Sequence, residues 1–184
     1  GVRAVAVANA LPGMDHNGAR IEVADPRNAT PARYFAADVS VEPGFFETIG
    51  HPVLSGRDFD NTDLVEGTAV IVNTDFVENV LGGRNPLGRE LRIVTGREQT
   101  PGPWLEIVGV VGRLGTINSY SDFETFEAFY RPARAGQINP AWLAIELDGD
   151  PGAFTPRLRQ LAIDVDPSAV VDQPMPLNEV KSLA

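Results

Sequence analysis

Residues 34–50 read YFAADVSVEPGFFETIG, and this stretch places a strand directly before a short helix. Every second side chain from Phe35 to Val41 is apolar, which is typical of a strand with one buried face. Pro43 suits the first position of a helix, and Gly50 suits its left-handed end. A strand and a helix in such close succession favour a mixed α/β (α+β) domain.

The same succession continues along the chain. Further strands are predicted at residues 3–11, 19–24, 68–72, 89–94, 104–112, 141–147 and 170–171. At residues 122–130 the spacing of three between phenylalanines allows a strand or a helix, and the Tyr-Arg-Pro that closes the run favours a strand. A helix should follow Asn73, which is a good N-cap. Another is predicted at residues 151–165, where Phe154, Leu158 and Leu161 recur at helical spacing, and we expect this apolar face to cover a sheet. A last helix is predicted at residues 177–184.

Composition excludes several classes of protein. The chain has 15 Lys and Arg residues against 25 Asp and Glu residues, a formal net charge of −10. That balance argues against nucleic acid and against anionic lipid as partners, because both need a basic surface. Cysteine is absent, which excludes disulfides, zinc–thiolate sites and thiol nucleophiles.

An acidic stretch at residues 58–63 reads DFDNTD and invites a calcium-loop interpretation. The template requires a glycine at its sixth position and a glutamate at its twelfth. Those positions hold Asp63 and Ala69. A solvated loop is therefore the better interpretation.

Other sequence motifs that are typical of catalytic or cofactor-binding sites are also absent. Gly109, Gly112 and Gly115 recur every third residue, which is the wrong spacing for a dinucleotide fingerprint and instead indicates close packing of a strand. The two histidines, His16 and His51, belong to no metal-ligand pattern and are expected at the surface or in turns. The chain has no P-loop and no nucleophile elbow. We therefore expect no catalytic residue, no metal and no cofactor.

Six short motifs nevertheless occur in a characteristic order. They are VEPGFFETIG (41–50), LSGRDF (54–59), VIVN (70–73), NPLGR (85–89), EIVGVVG (106–112) and YRP (130–132). In this order they resemble the signature of the MacB-like periplasmic core domain, the extracytoplasmic module of FtsX-like ABC transporter permeases. The resemblance covers nearly the whole chain.

The resemblance implies that the motif residues shape the backbone and take no part in bond chemistry. Glycines should allow chain reversals, Asn73 should cap a helix, and Arg57 should pair with a nearby carboxylate. The family-motif residues are Pro43, Gly44, Phe46, Gly50, Gly56, Arg57, Phe59, Asn73, Pro86, Gly88, Gly109, Gly112, Tyr130 and Pro132.

The resemblance also implies a two-lobed architecture. Residues 1–55 and 140–184 would form a discontinuous β-α-β lobe, and residues 56–139 an inserted mixed lobe. The strands at 3–11, 34–41 and 141–147 should then share one sheet.

The function implied is that of a non-catalytic module on the periplasmic side of the bacterial inner membrane. It would couple membrane-helix motion, driven by a separate or fused ATPase, to export or extraction of a periplasmic substrate. The implied partners are the permease's own transmembrane helices, the ATPase, a periplasmic adaptor or lipoprotein substrate, and a second copy in a dimer. Two alternatives stay open: a secreted carboxylate-dependent hydrolase, and a free-standing periplasmic binding or adhesion module.

Overall fold

The chain combines strands with a few helices, as predicted. The computed structural model describes residues 1–14, 16–25, 30–115, 126–168, 171 and 174–177. The strands within this part are β1 (Val2–Ala8), β2 (Gly18–Val23), β3 (Ala32–Val41), β4 (Ser55–Gly56), β5 (Ala69–Asn73), β6 (Glu90–Thr95), β7 (Thr100–Pro101), β8 (Leu105–Val111), β9 (Ala128–Pro132) and β10 (Trp142–Leu147). The α-helices are α1 (Phe45–Thr48), α2 (Asp63–Glu66) and α3 (Pro151–Val165). The mixed fold class is thereby confirmed.

Six of the strands hydrogen-bond to one another in a closed ring. β3 pairs with β2, β2 with β6, β6 with β8, β8 with β5, and β5 with β9. A parallel ladder between β3 and β9 closes the ring, from Ala37 opposite Ala128 to Val41 opposite Pro132. Because each of these strands has a neighbour on both sides, the ring leaves no free edge.

The ring separates two apolar cores. The inner core draws on all six ring strands, and its buried members are Ile21, Val23, Ala36, Val70, Val72, Phe76, Val80, Leu81, Leu91, Leu105, Ile107, Val110 and Phe129. The outer core joins the other face of the ring to α1, β1 and β10, and it includes Phe45, Phe46, Phe59, Ile71, Val111 and Tyr130. β5 contributes to both cores, which is why all its residues are buried and its sequence shows no polar alternation.

The outer strands extend the sheet on one side. β10 runs antiparallel to β1, and β1 reaches β3 where Ala8 lies opposite Val41. The predicted sharing of one sheet by the strands at residues 3–11, 34–41 and 141–147 is therefore confirmed. Strands from residues 56–139 belong to the same hydrogen-bonded sheet. The division into two lobes stays a prediction.

Several local features differ from the sequence-based expectation. The helix after Asn73 contains a π-helical turn at Phe76–Val80. The acidic stretch at residues 58–63 leads into the four-residue helix α2, which begins at Asp63. The two-residue strands β4 and β7 were not predicted, because strands this short show no periodicity. The predictions for residues 122–130, for a strand at 170–171 and for a helix at 177–184 fall wholly or partly outside the described residues.

The amphipathic helix forms where predicted, but its apolar face is not part of the core. The side chain of Asp150 caps α3 by accepting a hydrogen bond from the backbone N–H of Gly152. Phe154 and Leu158 are half-buried and Leu161 is 39% exposed, and no described residue of α3 is fully buried. This face was expected to cover a sheet; it is only partly covered, and none of these three residues belongs to either core. Periodicity identifies the apolar face of a helix but not what lies opposite it.

Candidate functional site

The aromatic motif residues form one buried cluster on the outer face of the ring. The rings of Phe46 and Tyr130 meet edge to face, with centroids 5.0 Å apart. Phe59 lies 6.5 Å from Phe46 by the same measure. Burial raises the pKa of the Tyr130 phenol. Its hydroxyl has no hydrogen-bond partner among the described residues, so the phenol stays neutral.

Helix α1, which carries Phe46, is bounded by two motif glycines. Gly44 has a φ of 81° and precedes the helix, and Gly50 has a φ of 72° just after it. These left-handed conformations are ones that glycine adopts without steric cost. Pro43 was expected at the first helical position but lies in the turn before the helix, next to the N-cap residue Gly44. The two glycines thus allow the chain to turn at both ends of the short helix.

The motif strand β4 approaches β8 through two glycines. Gly56 lies opposite Gly109 in the antiparallel ladder between them. A Cβ atom on Gly109 would stand 2.4 Å from the carbonyl oxygen of Arg57. Close packing is therefore shown at Gly109. It is not shown at Gly112, where a Cβ atom would meet nothing within 4 Å.

The motif arginine pairs with a carboxylate, as predicted. Arg57 donates two parallel hydrogen bonds to Asp63, of 2.6 and 2.9 Å. Asp63 is buried, and the Arg57 guanidinium lowers the pKa of its carboxyl. The backbone N–H of Asp60 also donates to Asp63 at 2.8 Å. The contact therefore connects Asp63, at the end of the acidic stretch, to the residue directly after β4.

The other carboxylates of the acidic loop bond to its own backbone. Asp58 accepts a hydrogen bond from the N–H of Phe59, and Asp60 accepts one from the N–H of Thr62. Burial raises the pKa of Asp58, although backbone N–H donors act in the opposite direction. Within the described residues, no group of three His, Asp or Glu side chains is placed to hold a metal ion.

Asn73 connects three segments from a fully buried position. Its Oδ1 atom accepts hydrogen bonds from the backbone N–H groups of Phe76 and Ala128. Its Nδ2 atom donates to the carbonyl oxygen of Phe126 at 2.6 Å. Asn73 therefore caps the π-helical turn as expected and also holds the beginning of β9, a second role that its sequence context does not indicate.

The remaining motif residues lie at turns and strand ends. Pro86 and Gly88 belong to the turn before β6, where the N–H of Gly88 donates to the carbonyl oxygen of Ile107. Pro132 ends β9 opposite Val41. Neither position presents a group for bond chemistry.

Three carboxylates with little exposed surface form ion pairs with more exposed arginines, and none of these pairs was predicted from the sequence. Asp75 pairs with Arg113, Asp38 with Arg131, and Glu22 with both Arg33 and Arg92. The paired residues are far apart in the sequence, so spacing alone carries no signal of the contact. Both histidines were expected at the surface or in turns; His16 is buried, whereas His51 is exposed.

The order of the motifs corresponds to a known family. Residues 3–173 match the model of the MacB-like periplasmic core domain. The chain belongs to the MacB-like periplasmic core domain family. It is therefore a periplasmic domain of an ABC transporter permease, which implies transmembrane helices and an ATPase as partners. No helix in the described part is long and apolar enough to cross a bilayer.

Solved structures share this fold. The periplasmic region of MacB from Actinobacillus actinomycetemcomitans is 13% identical, with a TM-score of 0.60 over 99% of this chain and 75% of that one. The extracellular domain of the noncanonic ABC-type transporter YknZ from Gram-positive bacteria is 14% identical, with a TM-score of 0.58 over 92% and 79%. A domain of a putative permease from Porphyromonas gingivalis is 16% identical, with a TM-score of 0.53 over 98% and 83%. No curated protein sequence matches.

Proposed function

We propose that this MacB-like periplasmic core domain is a non-catalytic, rigid element that transmits motion of the permease's membrane helices. A separate or fused ATPase drives those helices, and the result is export or extraction of a periplasmic substrate. In the intact transporter the domain works as a dimer, next to a periplasmic adaptor or a lipoprotein substrate.

The proposal rests on the structural roles of the family's motif residues. Asn73 holds distant segments together, Arg57 closes a local loop through Asp63, and the glycine pair Gly56 and Gly109 brings two strands into backbone contact. A body that transmits force needs such fixed connections. A hydrolase would instead need a carboxylate available for proton transfer in a cleft.

Distances between spin labels in the full-length permease, bound to its ATPase, test transmission directly. The chain has no cysteine, so a cysteine introduced at exposed Glu66 or Glu90 is labelled selectively within this domain. With both positions labelled in one domain, we expect the same distance with and without ATP. With Glu66 labelled in each of two copies, we expect the distance to change on ATP binding.

Two results would contradict the proposal. One is an intradomain distance that changes with ATP, and the other is an interdomain distance that never changes. The hydrolase alternative is tested on the 184-residue chain with chromogenic glycosides, peptides, esters and ATP, with and without divalent metals. Turnover abolished by Asp58→Asn or Asp60→Asn would favour that alternative.

A further inference from the structure

An arginine-rich surface lies on the outer face of the ring, away from the family motifs. The strands β3, β2 and β6 are adjacent there, and residues opposite one another point to the same side. One row across the three strands is Phe35, Arg20 and Val94. The next row is Arg33, Glu22 and Arg92. A cleft of about 480 Å³ opens over the first row and Arg33, a volume within the range of small-molecule sites, and Gln99 also lines it.

The second row holds one carboxylate between two guanidinium groups. Glu22 is only 4% exposed. It accepts hydrogen bonds from Arg33 at 2.9 Å and from Arg92 at 2.8 Å. The Arg92 guanidinium also lies 4.4 Å above the ring of Trp104. With Arg20 added, the two rows carry three positive charges and one negative charge, in a chain whose net charge is −10.

Arg33 is held in place from two directions. Besides its contact with Glu22, its Nη1 atom donates a 2.6 Å hydrogen bond to the side chain of Gln99. Gln99 belongs to the turn between β6 and β7 and has a φ of 53°, a conformation that is uncommon for residues other than glycine. The turn thus forms a wall of the cleft and orients a guanidinium that still has unused N–H donors.

Arg20 differs from its neighbours because it has no partner. It is exposed, and within the described residues it makes no ion pair and no hydrogen bond. It stands directly between Phe35, which is 42% exposed, and Val94. Arg33 is its diagonal neighbour on the same face, a separation that long side chains bridge. An unpaired positive charge is therefore flanked by apolar surface.

We propose that this cleft binds a soluble anion carried on an apolar group. A carboxylate or phosphate lies between Arg20 and Arg33, and the apolar part rests on Phe35 and Val94. Guanidinium groups recognise such oxyanions through paired, charge-assisted hydrogen bonds. The negative charge of the whole chain disfavours an anionic lipid surface as the source of the anion. The inference does not depend on the proposed transport function.

The test uses phenyl phosphate as the probe, followed by amide chemical shifts of the 184-residue chain. Inorganic phosphate and benzyl alcohol provide the charge alone and the ring alone. We expect saturable binding of phenyl phosphate, with shifts concentrated at Arg20, Phe35 and Val94. Both of the simpler probes should bind at least about tenfold more weakly, because each lacks one half of the interaction.

Arg20→Gln is the informative variant, because Arg20 supports no other side chain and its loss leaves the fold intact. We expect it to weaken phenyl phosphate binding about tenfold. The matched control is Arg159→Gln, the same change on an exposed position of α3, which should leave binding unchanged.

Four results would overturn the proposal. They are no saturable binding of phenyl phosphate, equal binding of benzyl alcohol, equal binding of inorganic phosphate, and equal losses in Arg20→Gln and Arg159→Gln. Cosedimentation with phosphatidylglycerol vesicles that Arg20→Gln abolishes would assign the anion to lipid and contradict a soluble source.

Discussion

Gly56 and Gly109 face each other in the ladder between β4 and β8, and neither position has room for a side chain. A Cβ atom on Gly56 would stand 2.2 Å from the carbonyl oxygen of Val108, and one on Gly109 would stand 2.4 Å from that of Arg57. The obstacle is backbone in both cases, so it cannot rotate away. This approach holds Arg57 where it reaches Asp63 across the acidic loop.

Gly109→Ala should destabilise the domain by about 1–3 kcal/mol, because the added methyl group forces the two strands apart. Denaturant unfolding followed by circular dichroism measures the difference. Gly112→Ala is the matched control, since its Cβ atom would meet nothing within 4 Å. The control should stay within about 0.5 kcal/mol of the wild type. Equal losses in the two variants would show that close approach is not the cause.

Asp63→Asn should cost on the order of 2 kcal/mol at neutral pH, because a charge-assisted hydrogen bond pair is lost beside a half-exposed arginine. The pKa of Asp63 is depressed in the folded state. Its contribution is therefore complete above the unfolded-state pKa, near 3.9, and is lost as the pH falls through the lower folded-state value. The stability difference between variant and wild type should shrink below about pH 4.

Asp60→Asn is the control for that experiment. Asp60 lies 3.7 Å from Arg57, is largely exposed, and uses a side-chain oxygen that asparagine also has. We expect a change of about 0–1 kcal/mol at neutral pH. A pH-independent loss in Asp63→Asn would contradict the assignment of the effect to its charge.

Asn73→Ala should cost about 2–4 kcal/mol, because it leaves two buried backbone N–H groups and one carbonyl oxygen without their partner. Asn79→Ala removes only an exposed hydrogen bond to Glu127 and should cost less than about 1 kcal/mol. Thermal unfolding of both variants measures the contrast. Similar melting temperatures for the two would show that the buried bonds of Asn73 contribute little.

Leu158→Ala in α3 should cost less than about 1.5 kcal/mol, since Leu158 is only half-buried. Leu91→Ala makes the same change at a position with no exposed surface inside the ring, and it should cost about 2–5 kcal/mol. Denaturant unfolding of both variants gives the comparison. A loss at Leu158 as large as that at Leu91 would place the helix face in a core.

Tyr130→Phe should leave the stability unchanged or raise it by up to about 1 kcal/mol, because the buried hydroxyl has no described partner to lose. The edge-to-face contact with Phe46 is retained in this variant. Tyr130→Ala removes the ring itself and should cost about 3–5 kcal/mol. A clear destabilisation by Tyr130→Phe would reveal a partner of the hydroxyl, such as a buried water molecule.

Much of the local structure is determined by the sequence alone. A period-two apolar pattern places β3, a continuous apolar run places β8, and Gly50 and Asn73 mark helix ends, because strand faces and helix caps depend on residues close together in the chain. The family could also be read from the sequence, since its motifs are short and keep their order. The pairing of Arg57 could be anticipated, though not the identity of Asp63 as its partner.

Only the tertiary structure decided how these elements combine. Closure of the ring depends on β3 meeting β9, and the arginine-rich cleft depends on β2 lying between β3 and β6. Periodicity shows which face of an element is apolar, but it does not say which partner covers that face. For this reason the sequence located the apolar stripe of α3 but not how much of it is covered, and it showed no sign of the cleft around Arg20. Contacts between distant residues arise from the summed burial of many side chains, which no local pattern encodes.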